Sequence, residues 1–82
     1  MKFLKHGCQI INIKEIKTII SLENRITFYF YTTGDFKFEH KNREVISRFK
    51  RGFEDFLRCE DEILFDLEYY FHWINLDYGE NA

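Results

Sequence analysis

Two groups of side chains in this sequence could do chemistry. The first is basic: Lys37, Lys41, Arg43, Arg48, Lys50 and Arg51 follow closely on Tyr29 and Tyr31. Lys and Arg neutralise phosphates, and exposed rings on a sheet stack bases, so this set is the candidate nucleic-acid interface. The second is acidic and aromatic: Glu62, Asp66 and Glu68 accompany Phe65, Tyr69, Trp73 and Leu76. Aromatic residues are enriched in the cores of protein interfaces and rim charges steer encounter, so these seven residues are the candidate surface for a protein partner.

Catalytic and metal-binding patterns were sought and not found. His6 and Cys8 would share one side of an extended segment, but tetrahedral zinc needs three or four ligands. Glu60, Asp61, Glu62 and Asp66 lack the Gly turn and the alternating oxygen donors of a calcium loop. Ser21 and Ser47 have no oriented base in their local context, and His72, between Phe71 and Trp73, reads as a helix residue. The four glycines, Gly7, Gly34, Gly52 and Gly79, are too dispersed to cradle a phosphate. The expectation is a binding protein without a cofactor, not an enzyme.

The elements that must position the two groups are legible from periodicity. Residues 9–13 and 16–22 are rich in β-branched side chains and predict strands. Glu23-Asn24 supplies turn chemistry, with Asn tolerant of positive φ. From Arg25 to Thr32, Ile26, Phe28 and Phe30 alternate with Thr27, Tyr29 and Tyr31, which predicts a strand with an apolar face and a hydroxyl-tipped face. Thr33-Gly34-Asp35 then turns the chain into a second alternating run through Phe36 and Phe38. Asn42 is a helix N-cap, and Val45, Ile46, Phe49, Phe53, Phe56 and Leu57 form one stripe of a helix over about 43–57. Gly52 inside it reads as tolerated, at a cost of ~1 kcal/mol relative to Ala.

Residues 60–75 fit both periods. As a strand, Ile63, Phe65, Leu67, Tyr69, Phe71 and Trp73 share a face; as a helix, Ile63, Leu64, Leu67, Tyr70, Phe71 and Ile74 do. Sixteen residues exceed the usual strand, and Glu60, Asp61 and Glu62 suit a helix N-terminus, so the expectation is a helix, with Gly79 marking its end. Such a helix carries a surplus stripe of Phe65, Tyr69, Trp73 and Leu76 opposite the first. The fold expected is a single α+β domain over residues 1–82: an antiparallel sheet of three to four strands followed by two helices.

Ten Phe, five Tyr and one Trp in 82 residues supply an aromatic core, which a domain this small needs. Cys8 and Cys59 make no knuckle or disulfide framework, and Met1 to His6 reaches polar residues before any leader-like apolar run; both point to a cytoplasmic setting without membrane insertion. Net charge is −2, yet eleven of the twelve Lys and Arg lie in residues 1–51 and nine of the fourteen acids follow. Such a division either joins the two halves by attraction or marks two binding faces.

The run Gln9 to Ile13, the turn at Glu23-Asn24, the strand from Ile26 to Phe30 and the helix from Asn42 resemble small bacterial and phage proteins built as a β-meander followed by a helix. In plan, strands followed by two helices is also similar to small anti-CRISPR proteins, which implies an occupation: blocking another macromolecule by covering it. The leading expectation is therefore a protein-binding module, a stoichiometric inhibitor from a phage or mobile element, whose partner offers a basic surface. The surplus stripe, with little chain left to cover it, further predicts a homodimer. The alternatives are a nucleic-acid-binding regulator using residues 37–51 and an acidic mimic of nucleic acid.

Overall fold

The computed structural model describes residues 1–77. The chain is α+β, with two three-stranded sheets and two helices. Strands β1 (Phe3–His6) and β2 (Gln9–Asn12) form a hairpin, and a 3-10 turn over Ile13–Glu15 leads into β3 (Ile16–Leu22). β4 (Arg25–Phe30) and β5 (Asp35–Glu39) complete a meander, followed by helix α1 (Arg43–Arg58), strand β6 (Leu64–Asp66) and helix α2 (Leu67–Asp77). The sheets have the orders β2-β1-β6 and β3-β4-β5. The second is antiparallel throughout, whereas the first is mixed, because β6 pairs parallel to β1.

The single expected sheet is thus two. Phe3–His6, to which the sequence reading assigned no strand, becomes the central strand of the first. Its turn needs Gly7 at φ 60°, a conformation costly for any residue with a Cβ. The Glu23-Asn24 turn, by contrast, is made without positive φ, since no described non-glycine residue adopts one.

The larger correction falls on residues 60–75, where helix begins only at Leu67. Before it, strand period governs: Phe65 packs inward with Leu4 and Ile11, which face it across the ladder. Ile63 and Leu64, expected in the buried stripe, are exposed instead. The physical cause is β1, whose second edge carries backbone groups that burial would leave unpaired unless another strand joined it. Phe3 N–H donates to the Ile63 carbonyl at 2.7 Å, starting that pairing. Asp66 then opens α2, its Oδ1 accepting from the Tyr69 amide at 3.1 Å. Gly79 lies outside the described residues.

Helix α1 follows expectation except at Leu57, which the expected stripe included and which is 43% exposed in the last turn. The Asn42 side chain accepts from the Glu44 amide at 3.0 Å, and Val45, Ile46, Phe49, Phe53 and Phe56 are buried. Phe49 is the meeting point. Its ring packs against Phe28 and Phe38 of the second sheet, Phe65 of the first, and Tyr70 and Phe71 of α2. One core cluster therefore takes residues from both sheets and both helices.

Phe28 and Phe49 are both wholly buried. Phe49→Ala and Phe28→Ala should each cost ~3–5 kcal/mol, read from urea unfolding, as truncation of buried Phe does. Losses below about 1 kcal/mol would place the core elsewhere.

Candidate protein-binding surface

Helix α2 divides its rings between the core and the surface. Leu67 and Ile74 are buried, and Tyr70 and Phe71 pack on the core cluster. Tyr69, Trp73 and Leu76, at i, i+4 and i+7, form the opposite stripe and are 60%, 49% and 43% exposed. Tyr69 and Trp73 meet edge to face with ring centroids 6.0 Å apart. Phe65 does not belong to this stripe: on β6 it faces the core at 8% exposure. Its place at the surface is taken by Leu64, which strand alternation turns outward.

The stripe borders a cleft of about 430 Å³ between α1 and the β6–α2 segment. Leu64, Tyr69 and Tyr70 line it together with the acids Asp55, Glu62 and Asp66. Asp55 escaped sequence reading because, four residues from Arg51, it looked like half of a surface ion pair. Only the helical phase of α1 relative to β6 turns it into this cleft.

The three expected acids do different work. Glu62 is exposed, and its backbone carbonyl, with that of Cys59, accepts from the Lys2 ammonium, which also lies 4.6 Å from the centre of the Phe56 ring. Asp66 caps α2 and meets the Lys5 ammonium at 3.5 Å. The Glu68 carboxylate accepts from the Gly7 amide at 2.5 Å, tying the first hairpin to α2. Asp66 and Glu68 are therefore positioning residues as well as surface charges.

The charge division also joins the chain to itself. Lys5–Asp66 and Arg48–Asp77, the latter at 3.1 Å, both link the basic and acidic parts. Partly exposed pairs of this kind contribute little stability each, but they orient α2.

The nucleic-acid set is not assembled into one patch. Tyr29 and Lys37 lie on the face of the second sheet turned away from α1, because their neighbours Phe28 and Phe38 pack on Phe49. Tyr31 is exposed beyond the end of β4. Arg48, Lys50 and Arg51 are exposed on α1, across the sheet, and Lys41 precedes that helix. Arg43 pairs with Glu23 at 3.7 Å, and the cleft it shares with Lys50 and Arg51 also holds Glu23 and Glu44.

His6 and Cys8 are likewise separated in role. The His6 ring stacks on Phe36 with centroids 3.8 Å apart, and Cys8 sits exposed in the hairpin turn. Among the described residues no three or more His, Cys, Asp or Glu side chains are grouped to hold a metal, and no helix is long and apolar enough to cross a membrane.

Compared with known proteins, the chain matches no family model, no curated protein and no solved structure.

Gly52 shows how closely this region is fitted. A Cβ there would overlap the ring and hydroxyl of Tyr70, so the residue lets that ring lie against the α1 backbone rather than being merely tolerated. Gly52→Ala should therefore destabilise by ~1–3 kcal/mol in denaturant melts, where helix propensity alone predicts a gain of ~1 kcal/mol. A measured gain would show that Tyr70 does not lie against this helix.

Proposed function

We propose that this protein is a non-enzymatic binding module that covers part of another protein with the surface formed by Tyr69, Trp73, Leu76 and Leu64, rimmed by Glu62, Asp55 and Asp66. The observation carrying this reading is the exposed Tyr69–Trp73–Leu76 stripe beside an acidic cleft. Large rings left in water on a small domain favour association, and the carboxylates select a partner with a basic surface. Such a module acts as a stoichiometric inhibitor when the surface it covers is one its partner needs, and an inhibitor of phage or mobile-element origin is the occupation proposed. The nucleic-acid reading is the weaker, because the tyrosine face and the α1 cations stand on opposite sides of a sheet.

Affinity capture from host lysate at low and moderate salt, with partners identified by mass spectrometry, tests the proposal. Tyr69→Ala and Trp73→Ala should each weaken capture of the same protein by about tenfold or more, as truncation of interface hot spots does. Their own folding should change by only ~1 kcal/mol, well below the cost of truncating a core ring, since Tyr69 and Trp73 are 60% and 49% exposed. Glu62→Gln with Asp55→Asn should chiefly slow association. Retention lost steeply with salt and abolished by reversing Lys50 and Arg51, with the ring variants inert, would favour nucleic acid instead.

A further inference from the structure

We infer that β3 is a self-pairing edge, through which two copies of this chain join their β3-β4-β5 sheets into one six-stranded sheet across a two-fold axis at Ile20. The inference is independent of the surface around Tyr69 and starts from how the sheet margins are protected. An open strand edge invites pairing, and proteins blunt it with short strands or charges. Of the described margins, β2 has four residues, β6 has three, and β5 carries Asp35, Lys37 and Glu39. β3 has seven residues, Lys17 is its sole charge, and Ile20 and Leu22 are 47% and 50% exposed. A register irregularity between Ile16 and Thr18 ends the regular edge on one side, leaving Thr18–Leu22 open.

The backbone of that edge is arranged to pair. The His40 amide donates to the Asn24 carbonyl at 3.0 Å, and Leu22 faces Arg25 across the two-residue turn. Antiparallel alternation from that closing pair directs the amides and carbonyls of Thr18, Ile20 and Leu22 to β4, and those of Ile19 and Ser21 to the open side. A second β3 running antiparallel about Ile20 sets Ile19 against the partner's Ser21, so the outward groups exchange hydrogen bonds in both copies.

The side chains choose this register and this occupant. About Ile20, Ile20 meets the partner's Ile20 and Leu22 meets the partner's Thr18 on the exposed sheet face, which covers the two exposed apolar residues. Just beyond those regular pairs, Lys17 at the irregularity and Glu23 in the turn, whose carboxylate also stands 3.7 Å from Arg43, carry opposite charges to opposite ends of the shared edge, where the two-fold brings each near the other of the partner. A register centred one residue earlier, on Ile19, puts Lys17 opposite uncharged Ser21 and points Glu23 toward the partner's Glu15. Beneath the edge lies a trench of about 310 Å³ between β3 and α1, lined by Ile19, Ile26, Phe53 and Leu57 with Lys50 and Glu54 among its polar walls. The partner's Ile19, opposite Ser21, enters this trench. Complementary charge and complementary hydrogen bonding therefore both come from a second copy of the same strand.

Light scattering coupled to size exclusion, over about 1 to 100 μM, reads the outcome. The mass should rise from the 10.1 kDa of the chain toward twice that value. Ser21→Pro removes an outward N–H that the β3–β4 ladder does not use, a substitution edge strands tolerate, and should leave a monomer with unchanged far-UV circular dichroism. Lys17→Glu alone and Glu23→Lys alone should each weaken self-association by about tenfold, from two symmetric like-charge contacts. Mixed together, these two variants should recover a heterodimer, because each supplies the charge the other lacks. A mass of 10.1 kDa at every concentration, or a dimer indifferent to Ser21→Pro and to both charge variants, overturns the inference. If Ser21→Pro fails to fold, the charge-reversal mixture decides alone: no recovery on mixing overturns it.

Discussion

The structure depends on the burial of one ring. Phe49 lies wholly inside, and the two sheets, which share no strand, meet α2 around it through Phe28, Phe38, Phe65, Tyr70 and Phe71. In a chain this short, no second core could hold either sheet by itself, since two or three short strands need a packed face to persist. Edge-to-face and tilted contacts among the rings add directional preference to the area they bury. The result is that the position of α2, and so of everything α2 displays, follows from how Phe65, Tyr70 and Phe71 seat against Phe49 of the preceding helix.

From that seat the surface is set by a few polar contacts. Asp66 ends β6 and starts α2, Glu68 fastens the helix to Gly7, and Lys2 fastens the preceding loop by its carbonyls. These contacts fix the phase of α2 so that Leu67 and Ile74 face in while Tyr69, Trp73 and Leu76 face out. The uneven charge of the chain serves both ends: basic groups from the first hairpin hold the acidic segment, and Glu62 and Asp55 remain to greet a partner.

Much of this was legible in the residues. The β-branched runs, the alternation from Arg25 onward, the Asn42 cap and the α1 stripe each carry a local physical preference that the fold obeys. What was not legible depended on partners distant in sequence. Phe3–His6 is a strand because β2 and β6 flank it, not because Phe-Leu-Lys-His alternates strongly. Residues 60–75 satisfy both periods, and only the unpaired edge of β1 decides that Leu64–Asp66 extend and Leu67 onward coil. Asp66 was not read as a cap, because Glu60, Asp61 and Glu62 suited an earlier helix start. Gly52 was judged by helix propensity, whereas its role lies in the Tyr70 ring across the interface. For the same reason Tyr69, Trp73 and Leu76 were found and Phe65 was misassigned.

One shared core, centred on Phe49, holds both sheets and thereby positions the exposed stripe. Native-state hydrogen exchange on the wild type and on Phe49→Leu tests it most directly, because it reads each element's opening separately. Protection in β1, β4 and α2 should fall together in the variant, by a common factor. Protection lost in β4 and α1 while β1 and β6 keep theirs would show two independent units and contradict it.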